Sequence, residues 1–462
     1  MCSPPSALSR SIERGSASPS GRALGAGIAL LVAVATALAA AQPPDVPLAG
    51  ETFDVTRYLV ELDLNVETGT ITGREQIDAV VRDGTAALVF DSGGLMVDSV
   101  ELEDTVRLPF AQRARQLVVT LPSPAARGER VRLALTYHGT PRTGLTLLAG
   151  SAQAYTTFST SQWMVAVDAP SDRAALHLQV TMPAGWRAAA SGREVSRRVV
   201  DGRLVMNWRQ DREVPSYTFG FVAGDFAEAT EPRGTVTLRY LGHGFSENEL
   251  RRIFRDTPAM LDFFVDRAGM TYLDDAYSQA LVATSGGQEL AGLSHMSEAY
   301  GRSVLADATA TSLIAHELAH QWWGNTVTNR DWTHFWLNEG FATFMAAAYK
   351  ESARGREAYL IDVDGWRQRV EQLRAAGHDR PLVFPDWIRP TADDRAVVYQ
   401  KGALVLHELR ELLGDEPFWT AVRAYTREHA GHDVTSPDLQ RAFEASSGRN
   451  LSAFFAERVY AR

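Results

Sequence analysis

From about residue 51 to 241, apolar and polar residues alternate with a period of two. YLVELDLNVETGTITGREQIDAVVR at 58–82 alternates on both sides of an ETG turn, and VRLALTYHG at 131–139, AALHLQVTMPAGW at 174–186 and VTLRYLG at 236–242 repeat the pattern. Such alternation places successive side chains on opposite faces of a strand. Gly, Asp and Pro punctuate the runs every 8–12 residues. This region is therefore predicted to be an antiparallel all-β domain. Its polar positions carry Arg, Glu and Thr, with no concentration of chemistry.

After about residue 246 the period lengthens. SENELRRIFRDTPAMLDFFVDRAG at 246–269 is amphipathic at helical spacing, and helices are also predicted over 307–323, 335–352, 355–375, 395–413, 415–429, 436–447 and 451–460. Several have Ser, Thr or Asp near their starts and Gly just past their ends, the usual punctuation of a helix. YSQALVATSGGQELAGLSHM at 277–296 reads as strand, glycine turn and strand. The fold class is thus multidomain α and β. An N-terminal β-domain over 42–232 precedes a mainly α domain with a small sheet over 233–462.

The first 41 residues are set apart. Arg10, Arg14 and Arg22 precede the apolar run ALGAGIALLVAVATALAA at 23–40, and Ala39, Ala40 and Ala41 close it. A basic start, an apolar middle and a small-residue exit predict a secretory signal peptide. The run is also about long enough to span a bilayer, so membrane attachment is expected only if this segment is retained. The single cysteine, Cys2, lies inside it, which leaves the mature chain without disulfides or thiol ligands. An exported, periplasmic or extracellular protein of bacterial type is expected.

Composition adds two bounds. At 45% hydrophobic and 22% charged residues the chain is globular rather than disordered. The formal net charge is −10 and no dense Lys/Arg cluster occurs, which argues against a nucleic-acid partner.

The candidate chemistry sits in LIAHELAHQWW at 313–323, which has no Pro or Gly inside and is followed by Gly324. On a helix, His316 and His320 are i and i+4, so both imidazoles project from one face. That spacing suits two corners of a tetrahedral zinc site for a single ion. Glu317 is rotated by about 100° from His316, where a base for the metal's water belongs without being a ligand. A third ligand is sought downstream, in WLNEGFATFMAAAYKE at 336–351. Glu339 near its start lies amid aromatic residues. Burying that carboxylate bare would cost several kcal/mol, and coordination to a metal removes the cost.

These residues carry a resemblance. HELAHQWWGNTVT, then Glu339 within WLNEGFATF with eighteen residues between it and His320, resembles the gluzincin aminopeptidases, the family of aminopeptidase N and the leukotriene hydrolase. The resemblance implies a thermolysin-like catalytic domain in which His316, His320 and Glu339 bind zinc and Glu317 is the general base. It implies that Tyr399, in Tyr399-Gln400-Lys401-Gly402, is the catalytic tyrosine, a phenol able to donate to an oxyanion. It further implies that Gly286-Gly287-Gln288-Glu289-Leu290 stands where the family has Gly-Ala-Met-Glu-Asn. Gly287 and Glu289 would then bind substrate, with Glu289 gripping the free α-amine. Gln288 and Leu290 depart from that motif. The chain ends soon after the catalytic helices, so a short form without the family's large C-terminal helical domain is expected, with a more open cleft.

Other residues carry less. Asp168 and Pro170 fall in the family's Asp-x-Pro segment and read as a structural turn. His295, His334 and His407 read as structural histidines, and Asp331 and Asn338 as candidates for orienting a ligand histidine. The expected activity is an exported zinc metallopeptidase, an aminopeptidase acting on peptides with a free N-terminus. A zinc endopeptidase or other zinc hydrolase with an altered amine anchor is the alternative, and a non-catalytic binding protein is a third reading.

Overall fold

In the computed structural model, the structure describes residues 48–461 apart from 114, 386, 388 and 389. The predicted signal segment lies outside the described residues. The alternating runs form an eight-stranded sheet in the order Arg193–Val200, Arg203–Pro215, Arg173–Pro183, Phe53–Asn65, Thr70–Val81, Arg130–Gly139, Leu95–Leu102 and Val106–Arg107. All neighbours are antiparallel except Phe53–Asn65 and Arg173–Pro183, which run parallel. That pair joins two strands more than a hundred residues apart, which local alternation does not reveal. Along Phe53–Asn65 buried positions recur at every second residue with one break. The break falls where the register with Thr70–Val81 shifts between Val55 and Arg57, the mark of a β-bulge. The inward residues, among them Tyr58, Leu62, Ile77, Leu133, Leu178 and Trp208, make one core with a three-stranded sheet (Thr85–Asp91, Gln116–Ala125, Phe110–Arg113).

A four-stranded sheet (Arg187–Ala190, Phe221–Gly224, Gln153–Thr156, Leu145–Leu148) leads to the catalytic region. There a five-stranded sheet runs Ala227–Arg233, Val236–Gly242, Ala276–Val282, Leu293–Ser297, Gly287–Leu290. Its first strand lies almost wholly before residue 233, so this sheet crosses the boundary drawn from sequence. A small apolar cluster of Tyr155, Val222, Phe226, Leu241, Val282 and Leu290, among others, fastens the two sheets together. The strand Gly287–Leu290 is thereby held at the sheet's edge against the β-region.

Helices follow close to the predicted spans: Glu247–Ile253, Thr257–Ala268, Trp336–Arg354, Arg356–Ala375, Asp415–Glu428, Ser436–Ser447 and Ser452–Arg458. Ser246 and Glu249 form a reciprocal capping box at the first of these. A helix at Glu298–Ala306, capped by Ser297, is not among the predicted ones. Among the described residues no helix is long and apolar enough to cross a membrane.

Candidate metal centre and active site

The first histidine lies in the helix Ser312–Ala319, and His320 caps its C-terminus in right-handed helical geometry (φ −56°, ψ −23°). Ile314, Ala315, Leu318 and Ala319 are its buried apolar positions. The helix is shorter than the predicted span of 307–323. It is stopped by Gly324, whose φ of +140° is closed to most side chains. The Gly324 N–H donates to Val327 O (2.8 Å) and the Asn325 N–H to His320 O (2.9 Å), which turns the chain back. Trp322 and Trp323 thus lie beyond the helix, both buried in the core.

Three donor atoms converge. His316 Nε2 and His320 Nε2 are 3.0 Å apart, and Glu339 Oε2 lies 3.2 Å from the first and 3.4 Å from the second. Tetrahedral bonds of about 2.0–2.1 Å place donor atoms about 3.3 Å from one another, so the triangle fits one small cation. The His320 Nδ1–H donates to the Trp323 carbonyl at 3.0 Å, which leaves a lone pair on Nε2 of the neutral ring. The donor set of two imidazoles and one carboxylate is that of a catalytic zinc centre with an open fourth position.

The electrostatics ask for the same ion. Glu317 and Glu289 bring carboxylate oxygens within 4.8 Å of each other and of a His320 nitrogen. Burial opposes charge on His320, yet Glu339, Glu289 and Glu317 outweigh it and push its pKa up to about 10. Burial likewise raises Glu317 well above the carboxylate range and Glu289 to about 7. Three buried carboxylates around one ring demand positive charge, and a divalent cation supplies it without protonating the imidazole.

Glu317 Oε2 and Glu289 Oε1 are buried with no hydrogen-bond partner in the protein, the state expected of groups that face a substrate or water. Gly287 explains how Glu317 fits: a Cβ there would lie 2.0 Å from Glu317 Oε1. The glycine leaves room for the carboxylate. Behind it, Gln321 and Asn325 lace the helix's exit to the edge strand. Gln321 Nε2 donates to Leu290 O (3.0 Å), its Oε1 accepts from Gly292 N–H (3.0 Å), and Asn325 Nδ2 donates to Glu289 O (3.1 Å). Sequence reading does not assign these two residues. Their polar side chains beside the histidines are the available signal.

Tyr399 stacks on His316, with ring centroids 5.7 Å apart and planes within 9°. Burial, then the charges of Glu339, Glu289 and Glu317, hold its pKa well above the ordinary phenol value, so the hydroxyl keeps its proton and can donate. The helix predicted over 395–413 is broken into Ala392–Ala396, a π-turn Val397–Lys401 and Gly402–Leu413. Such π-turns concentrate at functional sites. A Cβ on Gly402 would meet Gly340 Cα at 3.0 Å, and one on Gly340 would meet Gly402 backbone at the same distance. This glycine-on-glycine crossing brings Tyr399 and Glu339, each within three residues of it, onto one cation site. Lys401 points elsewhere, its Nζ donating to Asp379 Oδ1 (2.7 Å) and Arg380 O (2.6 Å).

The remaining residues have structural partners. Asp168 Oδ2 accepts from Ser161 N–H (3.1 Å). His295 Nε2 donates to Thr156 O (2.8 Å), His334 lies 3.0 Å from Ser436 Oγ and His407 2.8 Å from Tyr359 Oη. Asn338 holds Tyr217 Oη and Asn329 N–H (3.0 and 3.1 Å), and Asp331 accepts from Thr333 N–H (2.8 Å). Neither Asn338 nor Asp331 therefore orients a ligand histidine. Trp323 O orients His320, and Thr343 Oγ1 lies 3.5 Å from His316 Nδ1.

Residues 260–458 match the Peptidase family M1 domain. Leukotriene A-4 hydrolase of Xenopus laevis is 25% identical over 426 residues, which cover 85% of this chain and 68% of that protein. Aminopeptidase N of Lactococcus lactis is 26% identical over 438 residues, 87% of this chain and 50% of that one. The chain therefore spans about two thirds and one half of these relatives' lengths. Among solved structures, a two-domain M1 zinc metallopeptidase bound to L-tryptophan superimposes with a TM-score of 0.76 at 28% identity, covering 90% of this chain and 96% of that chain. An M1 zinc metallopeptidase of Deinococcus radiodurans bound to a Tyr-Ser-Ala substrate gives 0.75, also at 28% identity and with the same coverage. Residues 260–458 thus carry a Peptidase family M1 domain, and the two-part architecture around the cation cradle is similar in fold to the two-domain M1 zinc metallopeptidases.

Proposed function

We propose that this chain is an exported zinc aminopeptidase that removes residues from the free N-terminus of peptides. The observation that carries the reading is the pair of partnerless buried oxygens, Glu317 Oε2 and Glu289 Oε1, on carboxylates that both approach His320. One carboxylate beside the metal ligands serves proton transfer; a second, on a strand edge, serves an ammonium. Zinc held by His316, His320 and Glu339 supplies Lewis acidity and makes water acidic enough to act near neutral pH. Glu317 takes the attacking water's proton and returns it to the leaving amine. Tyr399, kept protonated, donates to the oxyanion that forms on the scissile carbonyl. Glu289 accepts from the substrate's α-ammonium and so sets the distance from the amino terminus to the cleaved bond.

The relatives support this reading by name, two of those compared being an aminopeptidase N and a structure with a tripeptide substrate bound. Export rests on the N-terminal segment alone. The test compares one peptide with a free and an acetylated N-terminus. The free form is expected to be cleaved at least about a hundredfold faster by the wild type, and Glu289→Ala to remove most of that preference. Equal cleavage of the two forms by the wild type would instead make the protein an endopeptidase.

A further inference from the structure

Gln288 stands where the family motif has methionine, and the structure gives it two hydrogen bonds that methionine cannot make. Its side chain is fully buried. The Phe158 N–H donates to Gln288 Oε1 at 3.0 Å, and Gln288 Nε2 donates to Glu289 Oε2 at 2.8 Å. The two bonds fix the orientation of the amide without ambiguity. A peptide N–H can only donate, so the oxygen must face Phe158 and the NH2 must face the carboxylate.

We propose that Gln288 is a positioning residue that holds Oε2 of Glu289, leaving Oε1 as the single oxygen presented to the substrate's amine. This rests on the aminopeptidase reading above. Glu289 Oε1 is buried and has no partner in the protein, whereas Oε2 is already engaged. A carboxylate free to rotate would offer either oxygen at variable depth. One pinned by a charge-assisted bond offers one acceptor at one place.

The far end of the relay belongs to the β-region. Phe158 and Ser159 both sit in left-handed backbone geometry (φ +43° and +44°), which non-glycine residues adopt only when their surroundings impose it. Here the surroundings do. The Phe158 ring stacks on Tyr217, with centroids 6.3 Å apart and planes 21° from parallel. Thr160 Oγ1 donates to Ser216 O (2.8 Å), and Ser161 N–H donates to Asp168 (3.1 Å). The strained loop directs a backbone N–H at the amide. The amine anchor of the catalytic region is thus set by the preceding domain through one side chain.

The experiment measures kcat and KM of zinc-loaded wild type and Gln288→Met on a peptide with a free N-terminus and on its N-acetyl counterpart. Competition by L-leucinamide is measured alongside. Methionine is close in volume, so the fold should tolerate it; bound zinc and the melting temperature check this. Gln288→Met is expected to lose about tenfold in kcat/KM on the free-amine peptide, carried mainly by KM. That is roughly the worth of one hydrogen bond to a charged group. The inhibition constant of L-leucinamide should rise by a similar factor, and the acetylated peptide should lose far less. Gln288→Glu keeps the acceptor for Phe158 but replaces the donor, and the same loss of preference is expected. Unchanged preference in either folded variant, or equal losses on both peptides, overturns the proposal. If the wild type itself shows no preference for the free amine, the aminopeptidase reading falls and this inference with it. A wild-type preference that both variants retain removes only the role of Gln288.

Discussion

Both halves of the molecule bury carboxylates, and they handle the burden in opposite ways. In the β-region Glu75, Asp168 and Asp172 each accept one backbone N–H, from Val165, Ser161 and Val55, and leave the other oxygen without a partner. Burial raises the pKa of each. An isolated buried carboxyl of this kind is accommodated by keeping its proton. In the catalytic region Glu289, Glu317 and Glu339 are gathered around two histidines. Protonating all three would waste the cluster, while a single divalent cation satisfies it. The contrast teaches that a buried acid becomes machinery only when its neighbours share one counter-charge.

The contrast breaks most completely if the cation is removed. His320→Ala deletes the ring that all three carboxylates approach, and is expected to abolish both bound zinc and hydrolysis. Metal analysis of the purified protein checks the first and a peptide assay the second; stoichiometric zinc in this variant would refute the assigned cradle. The melting temperature of the wild type should also rise with added zinc after chelation, because a ligand that binds only the folded state stabilises it. Next in size, Glu317→Gln keeps shape and metal but removes the proposed base. A loss of roughly 10²–10⁴-fold in kcat is expected, with zinc content unchanged. A near-normal kcat would show that the cluster's third carboxylate is merely structural.

Much of this is legible in the chain itself. HELAH points to the two converging imidazoles because helical spacing fixes which side chains share a face, and Glu339, on another helix, enters only through its buried setting and the WLNEGFATF resemblance. The period-two runs likewise locate the strands. What local pattern cannot supply is a meeting between distant segments. The parallel pairing of Phe53–Asn65 with Arg173–Pro183 and the seating of Phe158 on Gln288 depend on tertiary approach. So does the contact of Gly340 with Gly402: each glycine is visible in its motif, but neither reveals that the other is its reason. The early end of the HELAH helix comes from Gly324, which reads as a stop in the sequence but acts four residues upstream through His320 and Trp323.

Gly287 sharpens the comparison from the side of space rather than charge. Gly287→Ala would place a methyl 2.0 Å from Glu317 Oε1. The carboxylate must then move, since the edge strand is held by Asn325 and Gln321. A displacement of about 1 Å in a catalytic group costs on the order of a hundredfold in rate. Because the clash is with the free end of the Glu317 side chain, and the motif this strand resembles carries alanine here, the carboxylate can turn aside, and the expected outcome is a kcat loss of at most about that size, with zinc still bound and little change in melting temperature. A loss of zinc instead would mean that the methyl disturbs His316 or His320 and not the base.

The smallest effect is expected in the β-region, and it is read in stability rather than in rate. Burial, then the neighbouring charge of Asp54, raises Asp172 to about 8, against about 3.9 for an unfolded aspartate. Between those values the folded state binds the extra proton. The stability associated with Asp172 is therefore fully present below about pH 4 and is lost as pH rises toward 8. Asp172→Asn carries no titrating group and presents a carbonyl oxygen to the Val55 N–H that Asp172 Oδ1 now accepts. Its melting temperature should fall less steeply than the wild type's from pH 5 to pH 8. The free-amine preference of the enzyme should be the same in both. Parallel melting profiles would mean that Asp172 ionises freely in the fold; a changed preference would mean that an isolated buried acid in the β-region does reach the catalytic cluster.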